Sequence, residues 1–128
     1  MRALQISAYG DPLNVLELVD IPEPDAPGTD EVLIDVKLAP LNLHDLLFMR
    51  GFFGGPPAPT VVGNEGFGRV AAVGPGVTNV KVGDHVLAPT LSLTWRERLI
   101  APAQGLFPLP EGDRQQLRSS AATRLRRR

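Results

Sequence analysis

The chain contains no cysteine. That excludes disulfides, thiolate catalysis and any cysteine-built structural zinc site, and several enzyme classes go with them. Aromatic residues are scarce, with one Trp, one Tyr and five Phe. The two histidines, His44 and His85, lie about forty residues apart with no metal-binding spacing between them. No apolar run approaches the ~20 residues of a membrane span, and the opening MRALQISAYG lacks the apolar core of a signal peptide. The expectation is a cytoplasmic protein with no membrane partner. Positive charge is also short over most of the chain. All fourteen acidic residues lie at or before Asp113, against seven basic ones; the other six basic residues, Arg114, Arg118, Arg124, Arg126, Arg127 and Arg128, follow it. A body of net charge −7 is a poor surface for a phosphate backbone, so nucleic acid is not an expected partner.

Glycine and proline are plentiful, 13 of each in 128 residues. Six glycines fall at Gly63, Gly66, Gly68, Gly74, Gly76 and Gly83, within GNEGFGRVAAVGPGVTNVKVGDHV. Glycine weakens a strand, so this density implies tight turns, bulges or a second backbone passing close by. Arg69 to Val73 and His85 to Ala88 read as strands separated by a Gly83-Asp84 turn. At 43% hydrophobic residues, the composition is that of an ordinary globular domain with a sizeable core.

Met1 to Ser7 reads as an opening strand that pairs with Leu13 to Ile21 across a turn at Gly10-Asp11-Pro12. Pro22, Pro24, Pro27 and Gly28 make a stiff connection. Glu31 to Leu38 alternates cleanly, as a half-buried antiparallel strand does. The most distinct helix covers Leu43 to Arg50, with Asn42 as its N-cap, Asp45 in its first turn and Gly51 at its end. Leu43, Leu46, Leu47 and Met49 are expected to pack on the sheet. The loop Gly54 to Pro59 leads into Thr60 to Val62 and the glycine-rich stretch; beyond it, Leu91 to Trp95 reads as a loop, Glu97 to Ala101 as a strand and Gly105 to Pro110 as another brief extended piece. The sum is a mainly β, partly open barrel with one or two short helices, over residues 1–113.

Several motifs then resemble one family. Gly63, Glu65, Gly68, Gly74 and Val77 fall in the register of the medium-chain alcohol dehydrogenase signature, with Asn64 where the zinc enzymes have their metal-binding His. From Met1 to about Pro110 the order of pieces resembles the N-terminal GroES-like catalytic domain of medium-chain dehydrogenases/reductases. PLNLHDL, RGFFG, GNEG, VKVGDHV and LTWRE are most similar to its zinc-free branch, the quinone oxidoreductases and 2-enoyl thioester reductases. In the matching register Asn42 replaces the Cys and Asn64 the His that would bind catalytic zinc, and an amide is a poor ligand. No metal is expected.

The resemblance implies a reduction of a quinone, enone or enoyl thioester by NADP(H), on a small-molecule carbonyl or enone substrate, in a full-length form that would be a homodimer. Such a reaction needs a hydride, a donor for the developing enolate oxygen and a proton source. The resemblance points to Asn42, His44 and Asp45 as catalytic residues, and to Phe52, Phe53, Asn64 and Trp95 as the substrate pocket. The tyrosine that enoyl thioester reductases carry in the loop matching RGFFG is absent, replaced by Phe52 and Phe53, which either line a pocket or plug the barrel. Tyr9 is expected to be structural, Glu65 a buried carboxylate and His85 solvated.

No G-x-G-x-x-G lies between a strand and a helix, so the seat for a dinucleotide pyrophosphate is missing. The Arg-rich stretch 114–128, with SSAATRL, resembles the start of the connection to a Rossmann domain. The expectation is therefore a truncated gene product, an excised fragment or a naturally shortened relative, inactive by itself. Two other readings stay open: a zinc alcohol dehydrogenase-like enzyme with a degenerate metal site, and a non-catalytic GroES-like binding module whose apolar loop is GFFGGPPAP.

Overall fold

Arg2–Ile6 forms strand β1, and Asp11 then starts a single-turn helix α1, Pro12–Val15, that leads straight into β2, Leu16–Asp20. Strand β3 is Glu31–Leu38, helix α2 is Leu43–Met49, and β4 is the short Thr60–Val61. Strands β5, Phe67–Val73, β6, His85–Leu87, and β7, Arg98–Pro102, complete the order. This computed structural model describes residues 1–110; the Arg-rich stretch 114–128, with the Ser119 to Leu125 resemblance, lies outside them.

All the strand pairs are antiparallel. They make a three-stranded sheet in the order β2-β1-β4 and a four-stranded sheet in the order β6-β5-β3-β7. The segment just before β7 stitches the two together. Leu4 N–H donates to Trp95 O at 2.8 Å, Glu97 N–H to Arg2 O at 3.3 Å, and Val36 N–H to Glu97 O at 2.9 Å. The outcome is the expected mainly β arrangement, with two short helices and sheets that do not close.

Alternation along β3 explains the larger core. Val32 and Ile34 point inward, fully buried, and meet Val70, Val86 and Leu99 from the neighbouring strands. Burying each such side chain contributes about 1.5–3 kcal/mol. A smaller core forms around Ile6, Phe48, Met49 and Val62, where α2 packs beside β1 and β4. Close backbone approach accounts for the clearest of the glycines. A Cβ on Gly74 would lie 1.8 Å from the Gly28 carbonyl oxygen, so no other residue fits where the proline-rich connection crosses the end of β5.

Three local expectations need correction. Leu13 to Val15 is not strand. Asp11 Oδ1 accepts the Leu13 N–H at 3.0 Å and Pro12 sits in the first turn, so cap and proline outweigh the alternation and leave Leu13 exposed. In α2 the buried residues are Asp45, Phe48 and Met49, whereas Leu43, in the first turn, is exposed. Residues Gly105 to Pro110 make a turn and an irregular stretch rather than a strand; there Asn79 Nδ2 donates to Ala103 O and Leu106 O, at 2.8 and 2.7 Å.

Candidate functional site

The site is built on the first turn of α2. Asn42 Oδ1 accepts the Asp45 N–H at 3.3 Å, and Asp45 Oδ2 accepts the Asn42 N–H at 2.9 Å, a reciprocal capping box. Asp45 is buried, and its other oxygen, Oδ1, accepts the N–H of Asn64 at 2.9 Å. One carboxylate therefore joins the start of the helix to the Gly63–Gly66 turn.

The segment before β7 holds the other side of that turn. Thr94 N–H donates to Gly63 O at 3.1 Å, Thr94 Oγ1 donates to Glu65 O at 2.6 Å, and Leu91 N–H donates to Asn64 O at 3.0 Å. Gly63 has φ +113°, and a Cβ there would fall 2.6 Å from both Thr94 Oγ1 and Trp95 Cδ1. Only glycine permits that backbone with Trp95 so close. Thr94, fully buried, was not singled out from the sequence; its position in LTWRE was the only signal.

Of the residues expected to be catalytic, Asn42, His44 and Asp45 all lie on the first turn. Asn42 uses its oxygen as the helix cap, and its Nδ2 lies 3.5 Å from Glu65 Oε2. Glu65 is exposed rather than buried. His44 stacks on Phe53, with ring centroids 4.5 Å apart and planes 12° from parallel. Phe52 and Phe53 are exposed, so neither plugs the barrel. His85 is half-buried and stacks on Phe67 at 5.5 Å, which corrects the solvated reading. Tyr9 holds the base of the Gly51 to Pro56 loop: its hydroxyl donates to Pro56 O at 2.5 Å and its ring meets Phe48 edge-on.

Three buried polar atoms here have no hydrogen-bond partner: His44 Nδ1, Asn64 Oδ1 and Trp95 Nε1. A buried polar atom left unpaired costs about 1–3 kcal/mol, so each of the three is a candidate to meet a ligand group. Asn64 Oδ1 can accept from an amide, and His44 Nδ1 can donate or accept. These atoms suit the carboxamide end of a nicotinamide or a substrate carbonyl. The antiparallel pairing of the described residues provides no βαβ seat for a pyrophosphate. Among the described residues no group of three or more His, Asp or Glu is placed to hold a metal ion, and no helix is long and apolar enough to cross a membrane.

Residues 28–111 match the model of the alcohol dehydrogenase GroES-like domain. The chain is 40% identical over 110 residues to the mitochondrial enoyl-[acyl-carrier-protein] reductase of Caenorhabditis elegans, covering 84% of this chain and 32% of that protein. It is similar in structure to the quinone oxidoreductase of Pseudomonas syringae, with a TM-score of 0.76 and 38% identity, over 86% of this chain and 34% of that one. The Escherichia coli quinone oxidoreductase, solved in complex with NADPH, gives a TM-score of 0.79 at 26% identity, over 88% and 34% of the two chains. The chain spans about a third of the length of these relatives.

Proposed function

Because the chain belongs to the alcohol dehydrogenase GroES-like domain family, in the quinone oxidoreductase and enoyl reductase group of medium-chain dehydrogenases/reductases, we propose that it is the substrate-binding half of a zinc-independent, NADP(H)-dependent oxidoreductase acting on quinones, enones or enoyl thioesters. The observation that carries this reading is the unpaired pair His44 Nδ1 and Asn64 Oδ1, beside a carboxylate already committed to structure.

In this reading the roles divide by what each side chain has left to offer. Asp45 is a positioning residue, since both its oxygens accept backbone N–H groups. His44 holds the proton that the reduced carbon or oxygen needs, in place of the absent tyrosine, and the Phe53 ring stacked on it fixes the imidazole plane. Asn42 Nδ2 donates toward the developing oxyanion. Asn64 Oδ1 would accept from the carboxamide of a nicotinamide, which would supply the hydride. The exposed rings of Phe52 and Phe53 give an apolar substrate a surface to rest on, and Trp95 closes the site behind Gly63. An isolated half-site forgoes the roughly 7–11 kcal/mol that joint positioning of two reactants supplies, so the chain alone turns over negligibly.

A graft tests the reading. Residues 1–110 replace the matching third of the Pseudomonas syringae quinone oxidoreductase, and NADPH oxidation is followed with a quinone, an enone and an enoyl thioester. Reduction of at least one supports the assignment. A folded graft that binds NADPH yet reduces none of the three refutes it.

A further inference from the structure

Helix α2 has a second face. Asp45 and Phe48 look toward Gly63 and Asn64, whereas Leu46 and Met49 wall a separate cavity of about 480 Å³ between the β1–β2 hairpin, the end of β3 and the segment before β7. That volume lies within the range of small-molecule sites. Leu16, Leu38, Met49 and Trp95 make most of its wall apolar.

The ionisable groups in the wall are both cationic, Lys37 and Arg96, and no carboxylate lines it. Arg96 Nη2 donates to the Ser92 carbonyl at 3.0 Å, its buried Nε has no partner, and no carboxylate pairs with it among the described residues. Burial pushes the Arg96 guanidinium below the usual arginine range. A half-buried cation without an anion is unfavourable, and an incoming carboxylate relieves it.

We infer that this cavity is a binding site for a long-chain alkyl carboxylate, whose tail lies along Leu16, Leu38, Met49 and Trp95 and whose head meets Arg96, with Lys37 at the rim. The charge selects the class: a neutral alcohol of equal length would fill the same apolar wall and leave Arg96 uncompensated. The site lies across α2 from the candidate catalytic residues and shares Trp95 and Thr94 with the wall of the proposed substrate site. Its two charged residues, Lys37 and Arg96, belong to this cavity alone, so variants at them test it separately from the oxidoreductase reading.

Trp95 is the only tryptophan, so its emission reports occupancy directly. Laurate, added below its micelle concentration, is expected to change that emission saturably, and dodecanol to bind at least tenfold more weakly. Arg96→Met and Lys37→Met should each weaken laurate while leaving dodecanol unchanged. Lys37 is exposed, so its variant keeps the comparison decisive if Arg96→Met fails to fold. Absence of a saturable laurate response, or equal affinity for laurate and dodecanol, would overturn the inference. So would a dimer in sedimentation that shields Trp95 and excludes laurate, which would assign the groove to a second copy of the chain.

Discussion

Asp45 and Asn64 stand nineteen residues apart, and the carboxylate of the first accepts the backbone N–H of the second at 2.9 Å inside the protein. The same carboxylate accepts the Asn42 N–H at 2.9 Å. One side chain therefore sets both the helix start and the glycine turn that faces it.

Asp45→Ala leaves two backbone donors without their acceptor. At about 1–3 kcal/mol for each buried unpaired group, urea denaturation should show a loss of about 3 kcal/mol. Asp45→Asn keeps one acceptor oxygen and should lose roughly half as much. A loss below about 1 kcal/mol for Asp45→Ala would show that the turn does not depend on this bridge.

Gly63→Ala and Gly54→Ala separate crowding from backbone strain. Both positions have positive φ, +113° and +67°, but a Cβ meets Thr94 and Trp95 at 2.6 Å in the first and nothing within 4 Å in the second. Gly54→Ala should cost about 1 kcal/mol, and Gly63→Ala at least about 2 kcal/mol more, through overpacking. Equal midpoints in urea would contradict the close approach of Trp95.

In the active graft, His44→Ala should lower kcat by roughly a hundredfold with little change in KM, as for loss of an acid–base group. Phe53→Ala should raise KM and lower kcat by less, since it removes the ring that orients His44 and touches substrate. Steady-state kinetics on both variants check this; an unchanged kcat for His44→Ala would remove it from the proton-transfer role.

Glu23 and Arg98 pair across the proline-rich connection and the edge strand β7, with Arg98 Nε donating to Glu23 Oε2 at 2.7 Å. The hydrogen bond from Arg98 holds the Glu23 carboxyl below its ordinary value. A depressed folded-state pKa adds stability that is present above the unfolded value and lost as pH falls through the folded one. Glu23→Gln should therefore melt below the parent at pH 7, by a small margin because the pair is solvent-exposed. The two should melt together once the pH is below the depressed value. Melting curves that differ equally at both pH values would show that the pairing is not ionic.

The residues that were legible in the sequence carry local signals. Glu31–Leu38 was read to the residue because period-2 alternation is a property of the segment itself. The start of α2 was read because Asn42 and Asp45 cap one another three residues apart. Asp11-Pro12 carries an equally local signal for α1, but the apolar residues beside it also fit the opening of a strand. Glu65 and His85 carry no such local signal: exposure depends on which distant segments pack alongside, and for His85 that is Phe67.

By itself the sequence determined the mainly β class, the antiparallel pieces, the capped helix and the family, because alternation, capping and glycine spacing act over a few residues. Tertiary structure decided that Asp45 spends its second oxygen on Asn64, that Thr94 clamps the turn, that His44 lies flat on Phe53, and that Arg96 borders an apolar cavity without an anion. Those are contacts across a folded surface. Desolvation and close approach create them only after distant segments have met.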